Sequence, residues 1–136
     1  LNDIYEQYEV EGVLPKWVEE FKRCEKWISD ALEYSHGTHN LEDLLHDVAN
    51  GNLSLWAGED CALIMQITQY PRAKMAHCFL AGGNIEGIAA IEVGITAWAK
   101  GLGCNGITLM GRPGWARSFL SKIGYDCRQV NMVKEF

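Results

Sequence analysis

From Met75 onward, short apolar runs and amphipathic stretches alternate with almost no residues to spare between them. This pattern restricts the possible folds more than any other feature of the chain. Met75 to Ala81 is an apolar run closed by Gly82-Gly83. Asn84 to Lys100 then places Ile85, Ile88, Ile91, Ile95, Trp98 and Ala99 three or four residues apart, the spacing of one helix face. Gly101-Leu102-Gly103 ends that helix, since glycine takes the left-handed cap conformation without a Cβ clash. Ile107 to Met110 reads as a second strand. Arg112 to Ile123 reads as a second amphipathic helix through Trp115, Phe119, Leu120 and Ile123, and Gly124 closes it before a last strand from Tyr125. A strand, a crossover helix and a parallel strand form a right-handed unit with the helix on one sheet face. The expected class is α/β.

The front half supplies the rest of the layers. Residues 1–14 are polar and acidic with no clear period, and read as an N-terminal arm or a short edge strand. Pro15 suits a first helical turn, where its missing N–H is unpaired in any case. Trp17, Phe21, Cys24, Ile28, Ala31 and Leu32 then mark one face of a helix running to about Tyr34. Asn40 is a good N-cap for a second helix with Asp43 three residues on and Leu41, Leu44, Leu45 and Val48 facing inward; Asn50-Gly51 closes it. Leu53 to Ala57 and Cys61 to Thr68 form a hairpin around Gly58-Glu59-Asp60, and the Tyr70 to Lys74 turn leads into the strand at Met75.

The 136 residues fit one domain, 1–136, large enough to bury a core. A 48% hydrophobic and 22% charged composition is that of an ordinary globular protein. No apolar run approaches the roughly 20 residues of a bilayer span, and the first fifteen residues lack the apolar core of a secretory leader. Five cysteines without a CxxC pair are expected to be reduced thiols. Charge divides unevenly: residues 1–60 hold 14 acids and 4 Lys/Arg, whereas residues 61–136 hold 4 acids and 8 Lys/Arg. The basic excess is too dilute for a nucleic-acid partner. An acidic face and a mildly basic one are expected on the same domain.

Two helices, a three-stranded meander, then helix, strand, helix and strand is an order that resembles the GNAT superfamily of N-acetyltransferases over residues 15–136. Gly111-Arg-Pro-Gly-Trp-Ala-Arg117 followed by Ile123-Gly124-Tyr125 is most similar to small GNAT-like proteins of tailed phages and prophages. The resemblance implies a mixed twisted sheet of five to six strands with two N-terminal and two crossover helices, and a cofactor groove in residues 76–136. Twelve residues after Gly124 leave room for one closing strand where the family usually places two.

For an active member the resemblance implies acetyl-CoA, with its pyrophosphate held by a Q/R-x-x-G-x-G/A loop at a helix N-terminus. The matching stretch is Asn84-Ile-Glu-Gly87-Ile-Ala89, where Asn84 replaces the Gln or Arg and Glu86 adds a carboxylate. The tyrosine that often protonates the leaving thiolate falls on Leu120, and the asparagine that often opens its helix falls on Pro113. His77 and Glu59 are the candidate bases; His77 shares a strand face with Met75, Phe79 and Ala81 by simple alternation.

Other residue groups speak for contact rather than chemistry. His36, His39 and His46 with Asp43 or Asp47 read as solvated polar residues, so no metal is expected. No nucleophile-elbow, zincin, Walker or EF-hand spacing occurs. Trp27 lies off the first helix's apolar stripe, where an exposed indole would suit a protein contact, and Arg112 and Arg117 flank the Pro113 turn as further contact residues. The expected function is that of a GNAT-fold protein with degenerate catalytic and phosphate-binding positions and no cofactor. It would act as a virion or assembly component through other phage or host proteins, in the host cytoplasm or the virion, as part of an oligomer or virion assembly, without nucleic acid or membrane. The alternative is an active acetyl-CoA-dependent N-acetyltransferase using His77 on an amine of a protein or small molecule.

Overall fold

The computed structural model describes residues 3–111 and 119–136. Helices α1 (Lys16–Arg23), α2 (Glu25–Leu32) and α3 (Leu41–Ala49) precede strands β1 (Ser54–Ala57), β2 (Cys61–Gln69) and β3 (Lys74–Gly83). Helix α4 (Ile85–Gly101), strand β4 (Gly106–Leu109) and a 3-10 turn at Phe119–Ile123 follow. The sheet order is β1-β2-β3-β4, antiparallel except for the parallel β3–β4 pair that α4 connects. This is the mixed α/β architecture expected from the strand–helix alternation, with four strands among the described residues where five to six were expected.

Each sheet face carries its own core. Leu53, Ala62, Ile64 and Leu80 pack against Val18, Phe21, Cys24, Ile28, Leu44 and Leu45 of the first three helices. Cys61, Leu63, Met65, Ala76 and Cys78 pack on the other face against Ile88, Ile95 and Ala99 of α4. The α4 stripe is as expected except at its first member: Ile85 is exposed, because the helix begins there, beyond the sheet's end.

Local chemistry accounts for several boundaries. Asn40 caps α3 by accepting from the Asp43 N–H at 2.8 Å, while Asp43 accepts from the Asn40 N–H at 3.0 Å, a reciprocal capping box. The single helix expected over 15–34 is instead two. At Cys24 the backbone opens to ψ 0°, and its N–H is shared between the carbonyls of Glu20 and Phe21. The apolar period of Phe21, Cys24, Ile28 and Ala31 continues through the break, which is why the pattern alone conceals it. The expected arm is docked rather than loose. Tyr5 is buried edge-on to Phe21 at 6.3 Å, and Tyr8 packs on Trp17 at 5.5 Å.

Residues 112–118, including Arg112, Pro113, Trp115 and Arg117, lie outside the described residues, and with them most of the helix expected over 112–123; its last part, Phe119–Ile123, is a 3-10 turn. The strand expected from Tyr125 does not form: residues 125–136 carry neither helix nor strand. Val130, Met132 and Phe136 are 80%, 87% and 113% exposed, so this segment has no apolar face on the sheet to fix its register.

Candidate functional site

The sheet's internal break lies in β3. Ile64 pairs with Leu80 and Met65 with Cys78, so Phe79 is an extra residue opposite nothing, a bulge that bends the strand. Pairing of β3 with β4 covers Met75–Cys78 against Gly106–Leu109 and stops one residue short of that bulge. Beyond it β3 runs on to Gly83 and delivers the chain to the N-terminus of α4. In an α/β sheet, the carboxyl ends of parallel strands beside such a helix N-terminus are where ligands bind. The expected site residues are therefore measured against this corner.

His77 does not join it. Ala76 and Cys78 point into the core beneath α4, so alternation directs His77 to the opposite face. The expected grouping with Met75, Phe79 and Ala81 fails at the bulge: Ala81 packs on the α4 side, while Phe79 and Leu80 both pack on the side of α1–α3. The His77 ring shares a hydrogen bond with Thr108 across the β3–β4 ladder, Nδ1 to Oγ1 at 2.8 Å. Burial pushes its pKa below the usual histidine value.

That shift has a sign. An unfolded chain protonates His77 near pH 6.5, while the folded chain resists until lower pH, so the unfolded state binds more protons in that window. Folding stability should therefore fall as pH drops below about 6.5. Urea midpoints measured across this range should lose part of their slope in His77→Gln. An identical pH profile in that variant would show that His77 is not the group responsible.

At the α4 N-terminus two backbone N–H groups, those of Asn84 and Glu86, are already engaged. Asn84 Oδ1 accepts from the Glu86 N–H at 2.8 Å, and the Asn84 N–H donates to the Asp60 carbonyl at 2.9 Å. The turn between β1 and β2 presses on the same junction. A Cβ on Gly87 would stand 2.5 Å from Asp60 Oδ1 and 3.0 Å from Cys61 Sγ. Gly87 is thus a packing glycine, and Ala89 is half-buried farther along the helix. A pyrophosphate needs open amides and positive potential, and here the Asp60 carboxylate lies against the first turn of α4. The residues present do not fit acetyl-CoA in the expected manner. Glu86, the carboxylate expected to disable the loop, is exposed and sits in the first helical turn, where an acid is favourable. Asp60 places a second carboxylate at the same turn. Its sequence context shows only a turn, because its place over α4 is set by the hairpin and the crossover together.

The α4 face of the sheet holds a second polar group that sequence reasoning missed. Glu92 Oε1 accepts from Tyr125 Oη at 3.1 Å and from Thr96 Oγ1 at 2.5 Å. Glu92 and Tyr125 line a cavity of only about 20 Å³ together with apolar residues including Leu63, Ile88, Ile107 and Leu120. Leu120 is buried, so the position of the family's acid is core. Tyr125 is tied by its hydroxyl to Glu92. Burial and the Glu92 carboxylate raise its pKa, so it keeps its proton. The buried thiols are equally inert: burial pushes Cys78 up to about 12 and raises Cys24 and Cys61.

The remaining expected residues do not converge here. Trp27 is half-buried rather than fully exposed: it packs against the helical core, with the Arg23 guanidinium 5.8 Å from its ring centre. The α2 backbone at Trp27 lies directly against Gly82, so the helix sits close on β3 at this point. His39 bonds to Thr38 Oγ1 at 2.8 Å and lies 4.8 Å from the Phe79 ring, while Asp43 is spent on its cap. Glu59 is exposed, and its carbonyl accepts from Arg23. Among the described residues no helix is long and apolar enough to cross a membrane.

No protein-family model and no curated protein matches the sequence. Solved structures do match. A tetramutant protein of Bacillus halodurans aligns with 87% of this chain and 93% of its own at TM-score 0.61 and 16% identity. A transcriptional regulator of Bacillus halodurans C-125 aligns with 95% of this chain and 97% of its own at TM-score 0.59 and 17% identity. A Trypanosoma brucei acetyltransferase covers 71% of this chain and 78% of its own at TM-score 0.57 and 11% identity. At such identities the likeness is one of fold, and the fold of this chain is that of the GNAT-like acetyltransferases.

Proposed function

We propose that the chain is a GNAT-fold protein without acetyl-transfer chemistry that acts through protein contacts, as a virion or assembly component of a phage. The observation that carries this reading is the Asp60 carboxylate against Gly87 at the first turn of α4, with Asn84 already capping that helix. Leu120 in the core and His77 on the opposite sheet face support it, since Leu120 offers no proton and His77, the base of the alternative enzyme, does not stand at the corner. Fold alone does not decide activity. If the chain is active, its acetyltransferase neighbours imply acetyl-CoA as the donor. The phage assignment rests on the likeness of the Gly111–Arg117 turn and the Ile123–Tyr125 segment to small phage and prophage proteins.

Calorimetry with CoA and acetyl-CoA should show no saturable binding, and no amine in a broad panel should drive thioester cleavage. Saturable binding with turnover would overturn the reading. Asn84→Arg with Glu86→Gly should leave CoA unbound, because Asp60 remains. Adding Asp60→Gly should raise CoA affinity about tenfold or more and make it salt-sensitive, through lost repulsion and a new phosphate donor. Equal gains with and without Asp60→Gly would show that Asp60 is not the obstruction. Mass spectrometry should find the chain in purified virions, and its presence only in infected-cell lysate would remove the virion role.

A further inference from the structure

Among the described residues β1 pairs only with β2, so one edge of β1 is open. Beside it lies a groove of about 660 Å³ lined by Trp17, Val48, Leu53 and Leu55, with Lys16 and Glu20 from α1 also lining it. Open strand edges are ready templates for another strand. The same chain carries a segment with the matching pattern. In residues 128–136, Val130, Met132, Lys134 and Phe136 alternate, and the three apolar ones are among its most exposed large side chains. An extended strand would present these four to one face.

We propose that residues 128–136 form an arm that adds as a strand to the open edge of β1 in a second copy of this chain. Val130, Met132 and Phe136 enter its groove, and Lys134 joins Glu20, whose carboxylate Arg23 already contacts at 2.8 Å. The arm's present contacts leave it far from its own groove. Tyr125 is anchored to α4 on the other sheet face, and Glu135 lies 3.4 Å from His36, before the start of α3. Val48 and Ala49, which line the groove, are at the other end of α3. The Glu135–His36 pair is exposed on both sides and is weak enough to exchange.

Charge favours a second copy as the occupant. The groove is built entirely within residues 1–60, the strongly acidic part, and the arm belongs to residues 61–136, the basic part. Apposing the two parts of neighbouring copies joins unlike fields. Reciprocal exchange closes a two-fold dimer, and one-way exchange builds a ring or a filament. This extends the contact role proposed above but does not depend on the CoA result, so either can fail alone.

Sedimentation of the full chain in reductant (Cys127 is exposed) from about 10 to 500 µM tests it. We expect concentration-dependent assembly that weakens with salt. A chain ending at Cys127 should stay monomeric with an unchanged melting temperature, and Met132→Asp should weaken assembly about tenfold or more. Glu20→Lys should also weaken it, and adding Lys134→Glu to that variant should restore it, a rescue that general destabilisation cannot produce. A monomer at every concentration, assembly that survives the truncation, or charge reversal without rescue would overturn the proposal.

Discussion

Gly82→Ala should cost about 3 kcal/mol or more of folding stability and lower the melting temperature by roughly 10 °C. The added Cβ would stand 2.4 Å from the Trp27 carbonyl oxygen and 3.1 Å from its carbonyl carbon. These are backbone atoms of α2, a helix held on the sheet by Ile28 and Ala31, so no side-chain rotation relieves the clash. Either α2 lifts and loosens the core beneath it, or β3 bends away. Gly101→Ala is the matched control. Gly101 ends α4 with open space around it, and alanine there should be neutral or stabilise by up to about 1 kcal/mol. Equal melting temperatures for the two variants would show that α2 does not lie this close to β3.

Phe21→Ala should cost about 3–5 kcal/mol. Its ring is fully buried among Val18, Leu44, Leu45 and Ile64, so α1, α3 and the sheet would share the resulting cavity. The loss should reach the N-terminal residues as well, because Tyr5 packs edge-on against this ring. A lower urea midpoint with faster amide exchange near Tyr5 is the expected result. An unchanged midpoint would place Phe21 outside the core. The same truncation at Ile85, exposed at the start of α4, should have a small effect.

Much of the fold was legible because it is written in local periods and caps. The stripe of α4 runs at helix spacing, Asn40 and Asp43 announce the start of α3, and Gly58-Glu59-Asp60 and Tyr70–Lys74 mark the two hairpin turns. Errors arose where the period continued but the backbone did not. The core face of Phe21, Cys24, Ile28 and Ala31 passes unbroken through the Cys24 turn. In β3 the period-two reading failed at Phe79, because a bulge exists only relative to the partner strand. The closing strand failed for a related reason: alternation in residues 128–136 says how a strand would face, not which edge it would join.

The candidate site divides along the same line. Local sequence determined the Asn84 cap, the glycine spacing of the loop and the absence of a proton carrier at Leu120, since each depends on residues a few positions apart. Tertiary structure alone decided that Asp60 lies against Gly87, that His77 faces away from α4, and that Glu92 holds Tyr125. Asp60 and Gly87 are 27 positions apart, as shown by their numbering. Their contact arises because the β1–β2 turn and the β3–α4 junction meet at the same end of the sheet, where Cys61 pairs with Gly83. Hydrophobic pattern selects which faces are buried, but the charge that meets a helix end is set by strand register, which no local pattern encodes.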